Sequence, residues 1–337
     1  MFHNAAIVFP APGSVILEER EMPIAGEGEV VIRTRRSLVS TGTELTVLSG
    51  DFSPESRWNR YAAYPFSPGY SAVGEVVEIG SRVDDAWLGR HVAAWAPHAR
   101  FSSVPLSDVR VIPQFEVPDE ELTFFALAET VLNGIRRSDV RLGESAAVFG
   151  LGILGQLAVR FLHLAGARPL LAVDPAESRR ALVPRWPEFR ALDPTEGDPI
   201  AAARELTRGR MVDVAFEVTG LGPLIASELK VVRAGGRLVI LSTPRGSPTS
   251  LDFCDVNELS VSIIGAHVDS HPPPGSTFEQ WAHSRHAELF FELVYTGALV
   301  VSDLITDRPR FSDAPAVYAR LLEDRSRSLA TIFSWDD

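Results

Sequence analysis

The chain has 337 residues but almost no cysteine or lysine. Its one cysteine, Cys254, excludes an intramolecular disulfide and excludes zinc sites built from four cysteines or from two cysteines and two histidines. Only Lys230 among the 32 basic residues is a lysine. No G-x-x-x-x-G-K occurs, which excludes a P-loop. Since Ala226 stands four residues before Lys230, a Tyr-x-x-x-Lys catalytic pair is absent as well.

Long apolar runs are also missing. No stretch approaches the ~20 residues that cross a membrane, and Phe2-His3-Asn4 lacks the basic start of a secretory signal. The net charge of −12 argues against nucleic acid as a partner, because nucleic acids are polyanions. It does not exclude an anionic cofactor, which a few backbone N–H groups can hold. We expect a cytoplasmic protein that acts on a small molecule.

The length predicts two domains. Residues 1–125 contain short β-branched runs separated by turn residues, which is typical of a barrel-like antiparallel domain. The predicted strands are 5–9, 14–18, 29–35, 72–80 and 91–95.

The pattern changes near residue 120, where a helix over 120–137 is predicted. Strands and helices then alternate, which indicates a doubly wound parallel sheet and an α/β fold. The predicted strands here are 145–149, 169–173, 212–218, 237–242 and 261–265, with helices over 153–165, 199–207 and 224–233. The last part has predicted helices near 278–296 and 313–324 and a strand over 330–333.

A glycine motif follows the predicted strand 145–149. Gly150, Gly152 and Gly155 form G-x-G-x-x-G, with Ile153 and Leu154 opening a helix. These glycines permit a tight turn, close approach of a pyrophosphate and close packing of helix on sheet.

An acidic residue completes this dinucleotide signature. Asp174 follows 19 residues after Gly155, at the end of the next predicted strand, where a carboxylate binds ribose hydroxyls and repels a 2′-phosphate. The pattern predicts NAD as cofactor. Two alternatives stay open: Asp174 is a surface residue beside a glycine-rich turn, or Arg179 and Arg180 accommodate the 2′-phosphate of NADP.

With these residues placed, the chain resembles the medium-chain dehydrogenase/reductase family over nearly its full length. The segments that resemble the family's motifs are 40–45 (STGTEL), 69–76 (GYSAVGEV), 213–220 and 234–239. The resemblance implies a GroES-like β-barrel catalytic domain over 1–125 and 267–337 and a Rossmann NAD-binding domain over 126–266. It also implies a homodimer, with the strand 261–265 and its neighbours as the candidate interface.

The departures from the family concern zinc. Thr41 and Tyr70 stand where zinc alcohol dehydrogenases have a cysteine and a histidine ligand, and Ser71 replaces the following glutamate. Glu129 falls where some members place a third ligand, and one carboxylate does not hold zinc. We therefore expect no metal. The chain is similar to bacteriochlorophyllide 2-hydroxyethyl dehydrogenases and to sugar and cyclitol dehydrogenases.

Without zinc, a side chain must move the proton of the alcohol. The candidates are Thr43, Tyr70, Glu129 and His98; the alternatives are a turn residue, a filler of the empty metal cavity, a helix-surface carboxylate and a loop histidine, respectively. Glu44 is interpreted as structural.

Further site residues come from the resemblance alone. It implies that four residues lie near the cofactor's ribose or nicotinamide: Thr219, Leu241, Thr243 and His267. Residues 271–286 contain a group of polar and aromatic side chains: His271, Trp281, His283, Arg285 and His286. This group is interpreted either as a solvated helix face or as a subsite for an acidic or polyhydroxyl substrate.

The leading hypothesis is a zinc-independent, NAD-dependent dehydrogenase of a secondary alcohol, such as a sugar, a cyclitol or a biosynthetic intermediate. A quinone or enoyl reductase using NAD(P)H is one alternative, since zinc-free members of the family reduce C=C bonds. A non-catalytic NAD-binding protein is the other.

Overall fold

The structure is a computed structural model that describes residues 4–52, 55–114, 116–245, 251–273, 281–326 and 328–336. It divides into a first unit, Met1–Ala126 with Ala287–Asp337, and a second unit, Leu127–His286. The sequence placed the second boundary at 266/267. The structure assigns 267–286 to the second unit, where Asn133 binds His267 and Glu129 binds His283. In the described ranges no helix has the length and apolar character needed to cross a membrane.

The first unit is built on a curled seven-stranded sheet with a separate two-stranded ribbon, β1–β2. Its strands are β1 (Asn4–Val8), β2 (Ile16–Arg20), β3 (Glu29–Leu38), β4 (Ala72–Ile79), β5 (His91–Ala94), β6 (Phe101–Pro105), β7 (Val109–Val111), β14 (Ile305–Asp307) and β15 (Ala330–Ser334). The order is β14-β15-β3-β4-β5-β7, with β6 also paired to β3. Because the ten-residue β3 bonds to three strands, it organises the whole sheet.

Two apolar clusters stabilise the first unit. One fills the sheet with alternate residues of β3 and β4, such as Val30, Ile32 and Val76. The other surrounds Phe9 and Tyr318. The helices of this unit are α1 (Thr41–Ser49), α2 (Arg57–Tyr61), α3 (Asp119–Leu122) and α11 (Ala314–Glu323).

The second unit contains a six-stranded parallel sheet in the order β10-β9-β8-β11-β12-β13. The strands are β8 (Ala146–Phe149), β9 (Leu170–Val173), β10 (Phe189–Leu192), β11 (Val212–Glu217), β12 (Val232–Ile240) and β13 (Ser262–Gly265). The helices of the second unit, two of which cross the unit boundaries, are α4 (Phe125–Ser138), α5 (Ile153–Leu164), α6 (Glu177–Arg180), α7 (Pro199–Leu206), α8 (Ile225–Leu229), α9 (Phe253–Glu258) and α10 (His283–Tyr295).

The α/β class and the parallel sheet are confirmed, and several predicted elements need correction. The helix predicted over 120–137 is interrupted between α3 and α4. The helix predicted over 224–233 ends at Leu229, because 232–240 form β12. Strands β6, β7 and β10 and helix α9 were not predicted. Cys254 lies in α9 and is exposed. The beginning of the helix expected near 278–296 falls outside the described residues; α10 is described from His283.

Candidate functional site

The glycine turn of the second unit connects β8 to α5. Gly150 has φ +92°, a conformation that L side chains rarely adopt, and a Cβ there would lie 3.0 Å from the backbone nitrogen of Thr219. A Cβ on Gly155 would lie 1.8 Å from the carbonyl oxygen of Gly150. Gly152, the N-cap of α5, faces open space. This cradle tolerates no side chains at its ends and leaves room at its centre, as a pyrophosphate requires.

Asp174 stands directly after β9, beside this turn. Its side chain is buried, with Oδ2 accepting a hydrogen bond of 2.7 Å from the Leu151 N–H and Oδ1 accepting one of 2.8 Å from the Ala176 N–H. The carboxylate is therefore held firmly against the glycine turn.

Arg179 and Arg180 contact Asp174 in different ways. The guanidinium of Arg179 lies 3.7 Å from Oδ2 of Asp174, and its backbone carbonyl accepts a hydrogen bond from Gln156. Arg180 donates to the backbone oxygen of Asp174 and forms an ion pair of 2.9 Å with Asp193. Arg180 thus stabilises the loop after β9, while the guanidinium of Arg179 lies beside the carboxylate of Asp174.

Glu217, a residue that the sequence reasoning missed, organises the ends of β11 and β12. Its buried carboxylate accepts hydrogen bonds from the Thr219 hydroxyl at 2.6 Å, from the Gly220 N–H at 2.8 Å and from the Ser242 hydroxyl. The backbone N–H of Leu241 donates to the carbonyl of Glu217. The signal in the sequence that could have identified Glu217 was an acidic residue at the end of a buried strand.

The remaining residues expected near the cofactor lie at the same edge of the sheet. Leu241 is buried, and its side chain packs against Gly134: a Cβ added to Gly134 would lie 2.6 Å from the Leu241 side chain. Thr243 is half-buried after β12. The carbonyl of His267 accepts a hydrogen bond of 3.1 Å from Asn133, and its Nδ1 lies 3.2 Å from the carboxylate of Asp269.

Glu129, in α4, is a buried residue and not a helix-surface carboxylate. Its side chain is 0% exposed, and Oε2 lies 2.6 Å from Nδ1 of His283, whose side chain is 33% exposed. A buried carboxylate that holds a partly accessible imidazole is an arrangement suited to proton transfer.

The histidines expected on a solvated helix face form a packed cluster around this pair. The rings of His271 and His283 stack with centroids 3.7 Å apart, and Nε2 of His271 lies 3.0 Å from Nδ1 of His286. His286 is fully buried and stacks on Trp281. Burial, together with the neighbouring charged groups, lowers the pKa of His286 to about 3. The solvated-face interpretation is therefore wrong for His286.

Tyr70 belongs to a group of hydroxyls in the first unit. Its hydroxyl bonds that of Ser40, the Thr43 hydroxyl also bonds it, and its ring stacks on Trp95 with centroids 5.3 Å apart. Burial raises the pKa of Tyr70 well above its ordinary value, against the smaller opposing effect of the two hydroxyls. The phenol therefore stays protonated, which makes it a hydrogen-bond donor and a poor base.

His98 lies in the core of the first unit, so a direct role in proton transfer to a substrate is not supported. It is 0% exposed, with Nδ1 at 2.8 Å from the Ser37 hydroxyl and Nε2 at 3.3 Å from Glu44. A Cβ on Gly69 would lie 2.7 Å from its ring. The physical reason is that residues 96–99 run beneath β1, where the Ile7 N–H donates to the carbonyl of His98.

Glu44 links α1 to α11 within the same buried network. Its Oε1 accepts from the Ser40 N–H at 2.7 Å, and its Oε2 accepts from the Tyr318 hydroxyl. Through these contacts Glu44 positions the start of α1, which contains Thr41 and Thr43.

The donor set does not suit zinc. Thr41 offers a neutral hydroxyl, and Tyr70 offers a phenol that burial keeps protonated, whereas zinc prefers thiolate, imidazole and carboxylate ligands. Within the part of the chain that the structure describes, no group of three or more His, Cys, Asp or Glu side chains could hold a metal ion.

Two family models match the chain. Residues 26–105 match the alcohol dehydrogenase GroES-like domain, and residues 154–284 match the zinc-binding dehydrogenase model.

Individual proteins are similar over almost the whole chain. D-guloside 3-dehydrogenase of Escherichia coli K12 is 26% identical and covers 94% of this chain and 95% of its own. Among solved structures, a Sinorhizobium meliloti 1021 protein classed with the zinc-binding dehydrogenases and bound to NADP has a TM-score of 0.83 at 20% identity, covering 99% of this chain and 100% of its own. A protein of E. coli CFT073, named a short chain alcohol dehydrogenase and complexed with NADH, has a TM-score of 0.82 at 15% identity over 99% of each chain.

Proposed function

Because the chain belongs to the medium-chain dehydrogenase/reductase family, as an alcohol dehydrogenase-like member, we propose that it oxidises a secondary alcohol with NAD, without zinc. The observation on which this proposal rests most is the glycine cradle with Asp174 beside it. Gly150 and Gly155 shape the turn, Gly152 leaves room for the pyrophosphate, and the N-terminus of the twelve-residue α5 provides backbone N–H groups for its charge.

The preference for NAD over NADP follows from Asp174. A carboxylate at the end of the second strand of a dinucleotide fold binds the ribose hydroxyls and repels a 2′-phosphate. Arg179 opposes this effect, but Asp174 accepts two backbone hydrogen bonds that fix its charge beside the turn. Of the two similar structures, one has NADP bound and the other NADH, so the fold is compatible with either cofactor.

The independence from zinc follows from the donor set. Thr41 and Tyr70 replace the ligands, and Glu129 is engaged with His283. The bound cofactor supplies hydride chemistry at its nicotinamide. The protein's own residues must then hold the substrate oxygen and move its proton. In the first unit, the hydroxyls of Ser40, Thr43 and Tyr70 bond one another and are suited to hydrogen-bonding a polar ligand.

The substrate class proposed is a sugar or cyclitol. Neighbouring hydroxyl side chains exchange hydrogen bonds with a polyol more readily than with an apolar alcohol, because each serves as donor and acceptor. The similarity to a D-guloside 3-dehydrogenase supports a carbohydrate with a secondary hydroxyl.

The test starts with the purified wild-type protein. Calorimetric titration with NADH and NADPH should show tighter binding of NADH, and metal analysis of the active protein should show no stoichiometric zinc. A panel of glycosides, cyclitols and simple secondary alcohols, assayed with NAD in the presence of a chelator, should yield NADH with the polyols. A clear preference for NADPH with reduction of activated C=C bonds would instead establish a quinone or enoyl reductase. NADH binding without turnover of any substrate would favour a non-catalytic protein.

We also propose a homodimer that pairs through β13. This strand is the edge of the parallel sheet, and its residues Ser262, Ile263 and Gly265 are exposed. An uncovered strand edge presents N–H and C=O groups that a second copy can bond. Light scattering of the protein in solution should give twice the chain mass; a monomer at micromolar concentration would contradict the proposal.

A further inference from the structure

We propose that His283 exchanges the proton with the substrate's reacting oxygen and that Glu129 positions it for this step. The inference rests on the proposed dehydrogenase function and names the group that replaces the metal. In the oxidation, the His283 imidazole would take the O–H proton of the alcohol, and bound NAD would supply the acceptor for the hydride that the carbinol carbon loses. The products are a ketone, NADH and a proton, which the imidazolium then releases to solvent.

The first argument is the geometry of the pair. The Oε2 atom of Glu129 lies 2.6 Å from Nδ1 of His283, within strong hydrogen-bond distance. A carboxylate at Nδ1 fixes the proton there, which leaves Nε2, at the other edge of the ring, as the basic nitrogen. Glu129 is fully buried while His283 is 33% exposed, so the carboxylate is shielded and the imidazole is accessible.

The second argument is the position of Glu129 on α4. Glu129, Asn133 and Arg137 are spaced by four residues and share one helix face. Asn133 bonds the carbonyl of His267 at 3.1 Å, and Arg137 bonds the carbonyl of Gly265 at 2.8 Å. This helix face therefore contacts the last residue of β13 and the residues directly after it.

The packing of α4 places the helix at the sheet's carboxyl edge. A Cβ on Gly134 would lie 2.6 Å from the side chain of Leu241 and 3.7 Å from that of Ala266, the residues that end β12 and β13. Ligands of open parallel sheets bind outside the carboxyl ends of the strands, and a dinucleotide spans the two halves. Because Asp174 reads the adenosine half beside β8 and β9, the nicotinamide half belongs to β11, β12 and β13. His271, which stacks on His283, bonds the carbonyl of Val268 shortly after β13, so the chain links His283 to this half of the sheet.

The third argument is the set of groups that surround His283. His271 stacks on it, and the Nδ1 of His271 lies 2.6 Å from the carbonyl of Val268. His286 is buried next to His271, and no hydrogen-bond partner of its Nε2 is found among the described residues. The guanidinium groups of Arg136 and Arg285 lie 3.5 Å and 4.1 Å from the ring centroid of Trp281.

These neighbours decide where a proton stays. His286 remains neutral at physiological pH because its pKa is lowered to about 3 by burial and by the adjacent histidines and arginines. Glu129 is the acidic group bonded to His283, and it offsets the positive charge of the imidazolium. Arg136 and Arg285 contribute to the lowered pKa of His286, so transfer of the proton onto His286 is disfavoured.

The experiment compares His283→Ala and Glu129→Gln with the matched control His163→Ala, which removes an exposed histidine of the same unit. We expect kcat to fall by about 100- to 10,000-fold in H283A, with NADH affinity unchanged and partial recovery of kcat on addition of imidazole. E129Q should keep the substrate KM but change the pH profile of kcat. The control should match the wild type in all readouts.

A second measurement is independent of turnover. Spectra of protein with ¹⁵N-labelled histidine should show Nδ1 of His283 protonated in the wild type, and this signature should be lost in E129Q. If H283A does not fold, as judged by thermal melting and NADH binding, His283→Gln takes its place with the same expectations. A wild-type kcat and pH profile in a folded His283 variant would overturn the inference. Absence of alcohol oxidation by the wild type would instead refute the proposed function.

Discussion

Glu228 and Glu217 are two carboxyl side chains buried in the second unit, at 1% and 0% exposure. Neither side-chain oxygen of Glu228 has a hydrogen-bond partner among the described residues, whereas Glu217 has three. Burial, and to a smaller extent the charge of Glu217, raises the pKa of Glu228 to about 9.

The first prediction concerns the pH dependence of stability. The pKa of Glu228 in the folded protein lies above its ordinary value of 4.5. The contribution of protonated Glu228 to the stability of the folded protein is therefore complete below pH 4.5 and is lost as the pH rises toward 9. By pH 7.5 the loss is roughly 3–4 kcal/mol. Glu228→Gln cannot ionise, so it should melt at a higher temperature than the wild type at pH 8. Thermal melting from pH 5 to 9 measures this difference, with the exposed Glu196→Gln as control; parallel curves for E228Q and wild type would refute it.

The second prediction concerns cofactor choice. Asp174→Asn keeps an oxygen that can accept from the Leu151 N–H but removes the charge beside the glycine turn. We expect NADH affinity to fall by about tenfold and NADPH affinity to rise, because repulsion of the 2′-phosphate is lost while Arg179 remains. Titration calorimetry with both cofactors measures the two affinities. Asp255→Asn, an exposed change on α9, should alter neither affinity; an unchanged NADH to NADPH ratio in D174N would contradict the role of Asp174.

The third prediction concerns the substrate contact. Tyr70→Phe keeps the ring that stacks on Trp95 and removes the hydroxyl that bonds Ser40 and Thr43. The substrate KM should rise by about tenfold, the worth of one hydrogen bond of about 1.4 kcal/mol. NADH affinity should stay the same. Steady-state kinetics with the substrate found in the panel decide this, with the exposed Tyr295→Phe for comparison. A wild-type KM in Y70F would remove Tyr70 from the substrate site.

The fourth prediction separates structure from catalysis at His98. His98→Ala removes one buried hydrogen-bond partner of Ser37 and one of Glu44 and leaves a cavity in the core of the first unit. We expect a loss of stability of about 2–4 kcal/mol but an unchanged kcat in the protein that remains folded. Melting temperature and kcat at low temperature are the two measurements, compared with His163→Ala. A large loss of kcat in folded H98A would return His98 to the catalytic residues.

Local sequence patterns predicted the parts of the molecule that local contacts determine. Gly150, Gly152 and Gly155 follow a buried strand and open a helix, and each glycine is explained by backbone atoms a few residues away or by the adjoining loop. The strand β10 was missed because Phe189–Leu192 is only four residues long and half-exposed. The helix predicted over 224–233 is too long because β12 begins at Val232, before the predicted strand 237–242, where Val232 pairs with Val212 of β11.

The candidate proton-transfer pair was beyond local patterns. Glu129 and His283 are 154 residues apart in the sequence; Glu129 was predicted as a candidate base, whereas His283 was interpreted only as part of a solvated helix face or of a substrate subsite. Their meeting depends on how α4 crosses the sheet. The same holds for His98, which was predicted as a loop residue, whereas its ring is buried against Ser37, Glu44 and Phe333.

The exposed thiol of Cys254 has a practical consequence. Since it is the one cysteine of the chain and lies on α9 of the second unit, a maleimide dye would attach at a single known position without prior removal of other cysteines. The protein as it occurs is therefore suited to single-site fluorescent labelling on α9.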